Sequence, residues 1–256
     1  MPITIKDIAR QTGVSHSTVS RALRGDPLIS PETTQKIQQA ARDMGYLPSA
    51  AARSLKTNRS LVLGVIVSSI DDPFFSEIVY GIEESAQQAG YSLFIAASQH
   101  DPAREEKIVQ TMMEHRTDGV IICSSSFNPA QGRQLLEYGF PIVVVNHQAA
   151  ESYHYSIYHD DEDGSQQITR HLIELGHTRI AYLGNSLSGR TTLDRLAGFQ
   201  IEMSAAGIPI PNEYIHHVPG GVPSLGEDGL LYFLHLPVPP TALICFNDML
   251  AIGVLK

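Results

Sequence analysis

Apolar residues near the start of the chain recur at helical spacing in two short stretches. Ile5 and Ile8 fall on one face of a first helix. Val19 and Leu23 point inward from a second helix by the same spacing. Gly13 stands between them, where a tight turn needs the positive φ that glycine adopts most easily. The pattern therefore predicts a helix-turn-helix.

Capping residues and surface residues support the same interpretation. Thr4 can cap the first helix, with Asp7 reaching back three residues later as in a capping box. Ser15 is a second N-cap. The outer face of the second helix is polar and basic, and it carries His16, Ser17, Ser20 and Arg21. Such a helix is shaped to enter a major groove, so DNA binding is the first hypothesis.

A third helix and a shorter helical stretch follow. The third helix is expected from about Pro31 to Met44, and Gly45 should end it. The residues from Ser49 to Lys56 are good helix formers, but so short a helix is marginal in water. Two interpretations stay open, an interdomain linker and a hinge helix that folds on DNA.

Beyond residue 60 the pattern changes to apolar runs that alternate with helical stretches. The runs that predict strands are LVLGVIV, YSLFIAA, GVIIC, PIVVV, RIAYLG and ALICF, with a weaker strand near His216. The predicted helices run from Phe74 to Ala89, Arg104 to His115, Pro129 to Tyr138, Gly164 to Leu175, Thr192 to Ala206 and Ser224 to Leu234.

Repeated strand–helix units imply mainly parallel sheets that are covered on both faces. Two such sets in tandem suggest two lobes with a cleft between them, and ligands of such sheets bind beyond the carboxyl ends of the strands. The predicted fold class is an all-α helix-turn-helix head followed by an α/β two-lobed core.

The net charge of −9 is unevenly distributed. Residues 1–60 hold nine Lys and Arg against four Asp and Glu, a net charge of +5, and the remainder carries −14. A basic head on an acidic body confines attraction for phosphates to the head.

Cysteine usage and the lack of long apolar runs indicate a cellular compartment. Cys123 and Cys245 each lie in an apolar run, which favours buried free thiols and suits a reducing cytoplasm. The N-terminus lacks the apolar segment of a secretory signal, and no apolar run approaches the ~20 residues of a membrane span. We therefore expect a cytoplasmic, nucleoid-associated protein without a membrane segment.

Several segments together carry a family resemblance. The head, the stretch SAAARSLKTNRS, the strand LGVIV, the turn DDPFF and the segment LIELGHTRIAYLG resemble the lac-repressor (LacI/GalR) family of bacterial transcription factors. The resemblance runs from Ile3 to the last residue. It implies a core like the periplasmic sugar-binding proteins and a homodimeric repressor of carbohydrate-use genes. Its partners would be a near-palindromic operator and a small effector, a sugar or sugar phosphate, in the interlobe cleft.

The resemblance also implies domain boundaries and DNA contacts. It divides the chain into a head (1–46), a hinge (47–60), an N-terminal lobe (61–160) and a C-terminal lobe (161–256). The implied DNA contacts are Thr4, Ser15, His16, Ser17, Thr18, Ser20, Arg21, Ala52, Leu55 and Lys56. Family base readers match His16, Ser17 and Arg21, and an arginine can bond guanine through two hydrogen bonds. Leu55 matches a residue that the family inserts into the minor groove to bend the duplex, although it could instead pack against its own core.

The effector contacts that the resemblance implies are Asp72, Phe74, Phe75, Asn146, His147, Asp160, Arg195 and Asp248. Phe74 could stack on a sugar or base, or belong to a helix core. Arg195 and Asp248 suit a hydroxyl-rich ligand because both offer paired hydrogen bonds, although a surface ion pair is the alternative. A nucleobase effector also stays open. No cofactor and no metal is expected, since the stretch HDDEDG, placed in a solvated crossover, lacks the spacing of a calcium loop.

Two alternatives complete the sequence-based interpretation. The stretch from Gly184 to Thr192 is a near miss for the phosphate loop of an ATP- or GTP-binding regulator, but Arg190 replaces the required lysine. The family usually continues beyond the point where this chain ends at Lys256, so the resemblance implies a truncated second lobe. The chain would then be a fragment without ligand switching or a natural short form, and in neither case an enzyme.

Overall fold

The chain divides into two units, residues 1–60 and residues 61–256. The computed structural model describes residues 3–47, 58–123, 137, 139–145 and 155–256. The short helical stretch from Ser49 to Lys56 and the helix predicted from Pro129 to Tyr138 lie outside the described residues, apart from residue 137.

The described part of the first unit contains helices α1 (Ile5–Thr12), α2 (His16–Ala22) and α3 (Pro31–Asp43). Ile8, Val19 and Ile37 come from different helices and are fully buried against one another in a small common core. All three helices were predicted from the sequence, and the third ends one residue earlier than expected, with Met44 as its C-cap.

The second unit begins with a five-stranded parallel sheet. Its strands are β1 (Val62–Val67), β2 (Ser92–Ala97), β3 (Gly119–Cys123), β4 (Ile142–Val145) and β5 (Ser156–Ile157), in the order β2-β1-β3-β4-β5. The described helices that connect these strands are α4 (Pro73–Gln88) and α5 (Pro102–Glu114). Apolar clusters cover the sheet, one around Ile122 and Met112 and one around Val65 and Phe75.

A three-stranded parallel sheet follows. Its strands are β6 (Ile180–Asn185), β7 (Ile215–Val218) and β8 (Ala242–Cys245), in the order β7-β6-β8. The helices around it are α6 (Asp161–Glu174), α7 (Gly189–Ala205), α8 (Pro223–Leu234) and α9 (Asp248–Val254), with a 3₁₀ turn at Asn212–Tyr214. The central strand β6 is buried along its whole length. The alternation of strands and helices agrees with the predicted α/β class.

Three helices begin two or more residues earlier than the sequence pattern indicated, and local interactions account for two of them. Helix α5 starts at Pro102 rather than Arg104, because Asp101 caps it. Helix α6 starts at Asp161 rather than Gly164. The stretch HDDEDG is solvated as predicted, but residues 161–164 belong to the helix and not to the crossover. Acidic side chains are favourable in the first turn of a helix, where they face the positive end of its dipole. Helix α7 starts at Gly189 rather than Thr192.

Helices α6 and α7 pack closely because Gly198 has no side chain. A Cβ at this position would overlap the carbonyl oxygen of Glu162 and lie 2.8 Å from Cβ of Ser165. This close approach brings the first turn of α6 alongside α7. Within the described residues, no helix is both long enough and apolar enough to cross a bilayer.

Candidate DNA interface and effector site

Hydrogen bonds close both ends of α1. The Thr4 backbone N–H donates to Asp7 Oδ2 at 3.0 Å, as in a capping box, and the Thr4 hydroxyl donates to the same oxygen at 2.7 Å. These hydrogen bonds hold the pKa of the Asp7 carboxyl below its usual value. Gly13 has φ of 73° and its N–H bonds to the carbonyl of Ala9, which closes the first helix.

Helix α2 is anchored at its first turn and presents a polar face. The Ser15 hydroxyl accepts a hydrogen bond from the Thr18 N–H at 3.1 Å. Val19 and Ala22 are fully buried, which fixes the rotation of the helix about its axis. As a result His16, Ser17 and Arg21 are exposed on the opposite side. These are the three residues that the family resemblance matched to base readers.

Other residues of the head are held in place by the fold. Thr18 and Ser20 are half-buried beside the exposed face, and Thr4 and Ser15 are exposed at the helix starts. Lys36 on α3 donates to the carbonyl of Thr12 at 3.1 Å, so it satisfies the open end of α1. Sequence reasoning missed Lys36, because the contact joins residues 24 positions apart. The predicted contacts Ala52, Leu55 and Lys56 lie outside the described residues.

In the second unit, five side chains form one connected group that includes two of the predicted effector contacts, Phe74 and Arg195. We call this group the effector cluster, and its members are Phe74, His159, Asp161, Arg195 and Phe246. The Phe74 ring, at the start of α4 beyond β1, lies edge-on to the ring of His159 at a centroid distance of 6.4 Å. His159 Nε2 lies 3.1 Å from Asp161 Oδ1. The contacts run from the carboxyl end of a strand in the first sheet to the first turn of α6.

Arg195 on α7 continues the cluster to the second sheet. Its Nε donates to Asp161 Oδ1 at 2.7 Å, and Nη1 donates to the carbonyl oxygen of Phe246, just beyond β8. The guanidinium carbon also lies 4.7 Å from the centroid of the Phe246 ring, within the range of a cation–π contact. Nη2 lies 3.4 Å from His159 Nε2. Arg195 is therefore held on several sides.

Phe74 and Phe75 have different environments, although both were predicted to contact an effector. The side chain of Phe75 is buried in the core of the first sheet. Phe74 is 45% exposed, so the alternative that it belongs to a helix core is wrong. The two rings pack edge to face with their centroids 5.3 Å apart, so the buried ring of Phe75 contacts Phe74 from the side of the core. Phe74 is thus available to a ligand and Phe75 packs behind it.

The three predicted aspartates all lie at or next to helix starts. Asp72 Oδ1 accepts from the Phe74 N–H at 3.0 Å and caps α4. Asp160 Oδ1 accepts from the Asp163 N–H at 3.0 Å and caps α6. Asp248 is exposed at the first position of α9, next to the N-cap residue Asn247. The predicted residues Asn146 and His147 lie outside the described residues.

Sequence reasoning missed His159, Asp161 and Phe246 as members of this cluster. The sequence did carry a signal, because His159 and Asp161 belong to the acidic stretch HDDEDG and Phe246 stands two residues before Asp248. The sequence pattern did not predict that a helix starts at Asp161. That helix start directs the carboxylate of Asp161, rather than a neighbouring one, toward Arg195.

The stretch from Gly184 to Thr192 uses its polar groups internally. Gly184 belongs to β6 rather than to a loop. Arg190 forms an ion pair with Asp194 at 2.7 Å. The buried Thr192 hydroxyl donates to the carbonyl of Asn185. A phosphate loop requires a free cation and a free hydroxyl, and these groups are already engaged.

Two family models match this chain. The model described as bacterial regulatory proteins, lacI family, matches residues 4–49. The model described as periplasmic binding proteins and sugar binding domain of LacI family matches residues 60–256.

Characterised relatives resemble nearly the whole chain. The HTH-type transcriptional repressor PurR of Actinobacillus pleuropneumoniae is 32% identical over 254 residues, which are 99% of this chain and 75% of the relative. The ribose operon repressor of Escherichia coli is 34% identical over 253 residues, which are 98% of this chain and 76% of the relative.

Solved structures give the same picture. The lac repressor dimer bound to operator and the anti-inducer ONPF has a TM-score of 0.82 at 27% identity, covering 100% of this chain and 77% of that chain. A putative ribose operon repressor from Burkholderia thailandensis has a TM-score of 0.66 at 34% identity, covering 77% of this chain and 72% of that chain.

Proposed function

This chain belongs to the LacI family of bacterial regulatory proteins, and we propose how its own residues divide the work of a DNA-binding repressor controlled by a small ligand. The observation that carries the proposal is the helix-turn-helix of the first unit. Its capped, buried framework leaves one polar and basic face of α2 exposed on a unit with a net charge of +5. Such a face complements the phosphates and base edges of a major groove.

We assign base reading to His16, Ser17 and Arg21, which are exposed together on α2. Thr4, Ser15, Thr18 and Ser20 are assigned to phosphate contacts, because hydroxyl groups can donate hydrogen bonds to phosphate oxygens.

We assign a separate role to the residues after the head. Ala52, Leu55 and Lys56 are proposed to contact the centre of the operator, with Leu55 inserted as an apolar wedge. Two chains would place two heads on the halves of a near-palindromic site.

The effector cluster is proposed as the control site. Phe74 and His159 lie at the end of the first sheet, whereas Arg195 and Phe246 lie beside the second. Asp248 is proposed to contact the same ligand from the start of α9. A small ligand that bridges both sets would favour one arrangement of the two sheets over another. Because ligand and operator would then bind different states, each weakens the other by the same factor. The boundaries 1–46, 47–60, 61–160 and 161–256 are part of this proposal.

We further propose that the target genes serve carbohydrate use, that the chain acts on the chromosome in the cytoplasm, and that it has no enzymatic activity. The engaged state of Arg190 and Thr192 argues against turnover of ATP at that loop. Measurable hydrolysis of ATP by the purified chain would contradict this part.

The experiment that tests the function is operator selection. Random-sequence DNA is enriched on the purified chain, and the mass of the winning complex is measured in solution. A palindrome bound by two chains is the expected result, and absence of any enriched sequence would overturn DNA recognition. Release is then tested with Arg195→Ala, which should bind the selected operator normally but no longer respond to ligand. Release that persists in this variant would mean that the effector binds elsewhere.

A further inference from the structure

The charge of Arg195 is already balanced in the described part of the effector cluster. Its guanidinium bonds to Asp161 through Nε and to the carbonyl of Phe246 through Nη1, and its face rests on the Phe246 ring. The side chains of Arg195 and Asp161 are 27% and 10% exposed, so solvent only partly screens the pair. A negatively charged ligand would therefore have to compete with Asp161 for this cation.

Two helix starts beside the cluster are closed to anions in the same way. A helix N-terminus is a ready site for a phosphate, because its N–H groups are open and its dipole is positive. At α4 and α6 the side chains of Asp72 and Asp160 already occupy that position as N-caps. Asp248, which is exposed at the start of α9, adds a third carboxylate. Like charges oppose the entry of a phosphate group.

An uncharged ligand with several hydroxyl groups meets none of these penalties. Carboxylate oxygens accept hydrogen bonds from hydroxyls, and such charge-assisted bonds are stronger than neutral ones. The exposed ring of Phe74 offers an apolar surface beside these acceptors, in the mixture of apolar and polar groups that small-molecule sites use.

We propose that the site discriminates against the phosphate esters of its ligand, and that Asp161 sets this preference by holding and neutralising Arg195. The inference rests on the proposed function, because it concerns the ligand of the same site. Asp161 acts here as a positioning residue.

The variant Asp161→Asn removes the charge of this side chain and leaves its shape nearly unchanged. Asparagine keeps an oxygen that can accept from Arg195 Nε but removes the negative charge, so Arg195 should become available to an anion. The matched control is Glu202→Gln. Glu202 also sits on α7 and pairs with Arg170 through two hydrogen bonds of 2.9 and 2.8 Å, but on the outer surface. Asp161→Ser serves as a second variant if the first does not fold.

Binding is measured by calorimetry on the full chain with inorganic phosphate, and with D-ribose, D-glucose, D-galactose and D-fructose, each against its own monophosphate. The wild-type chain should bind at least one neutral sugar about tenfold or more tightly than its phosphate. Asp161→Asn should gain about tenfold or more in affinity for inorganic phosphate, and Glu202→Gln should not.

Three results would overturn the inference. The first is tighter binding of a sugar phosphate than of its neutral sugar by the wild-type chain. The second is an unchanged phosphate affinity in Asp161→Asn, or an equal gain in Glu202→Gln. The third is a wild-type chain that binds none of the sugars, neutral or phosphorylated.

Failure of the proposed function has a different signature. It would appear as a chain that binds no operator, or as an operator complex that no bound ligand alters. Release of the chain from its operator by a phosphorylated ligand would agree with the proposed function and contradict only the preference against phosphate esters.

Discussion

Gly13 closes helix α1 in the left-handed region of backbone space, and its replacement tests how the head is built. Its φ is 73°, and a Cβ added there would meet no atom within 4 Å. The substitution Gly13→Ala therefore adds backbone strain without any collision with neighbours. The left-handed conformation costs an L-residue such as alanine roughly 1–2 kcal/mol. Gly13→Asn is the matched control, because asparagine tolerates this conformation better.

The size of the effect follows from the size of the head. A unit this small rarely has more than about 3–5 kcal/mol of stability. Losing 1–2 kcal/mol would leave Gly13→Ala folded at room temperature, but the opened population would rise about five- to thirtyfold. Operator affinity should therefore fall by less than about twofold, since most molecules still present a folded head.

Hydrogen exchange of the head amides in the full chain measures the opened population directly. Gly13→Ala should speed exchange of the protected amides of α1 and α2 about five- to thirtyfold, and Gly13→Asn should have a smaller effect. Equal acceleration in both variants would refute the assignment to left-handed strain. An unchanged rate in Gly13→Ala would show that the turn does not limit the stability of the head.

Three further predictions concern recognition, helix packing and pH. Arg21→Ala should remove about 1–3 kcal/mol of preference for operator over random DNA, and equal losses on both in binding titrations would exclude base reading by Arg21. Gly198→Ala should lower the free energy of unfolding by about 1–3 kcal/mol, because its Cβ would overlap a carbonyl oxygen of α6. In the same denaturant titrations Gly164→Ala, which meets nothing within 4 Å, should be neutral or stabilising by up to about 1 kcal/mol, and equal losses would argue against the close approach. Because the pKa of Asp7 is lowered in the folded head, its ionised carboxylate stabilises the head at pH values above the usual pKa of 3.8. This contribution should be lost as the pH falls from 3.8 through the lowered pKa. Thr4→Ala should weaken that pH dependence in thermal unfolding curves, and an unaltered dependence would contradict the role of the capping box.

Local features of the head could be predicted because their causes lie within a few residues. A capping box needs a threonine and an acidic residue three positions apart, and Thr4 with Asp7 meets that condition. The turn at Gly13 and the cap at Ser15 depend on equally short segments. Such interactions form in the same way whatever the rest of the chain does.

The candidate effector site could be predicted only in part. Arg195 was expected to contact a ligand or form a surface ion pair, and it forms an ion pair with Asp161. Which carboxylate would do so could not be predicted, because Asp160, Asp161 and Asp163 look alike in the sequence. The helix start at Asp161 decides among them by using Asp160 as the cap.

The order of helices and strands, the capped helix-turn-helix and the uneven distribution of charge could all be predicted from the amino-acid sequence. Hydrophobic periodicity and capping act over short spans, so a linear pattern records them. The tertiary structure decided that Phe74 is exposed above a buried Phe75 and that Asp161 meets Arg195 across 34 residues. The pair of Asp161 and Arg195 depends on how closely α6 and α7 pack at Gly198, a distance that no local pattern encodes.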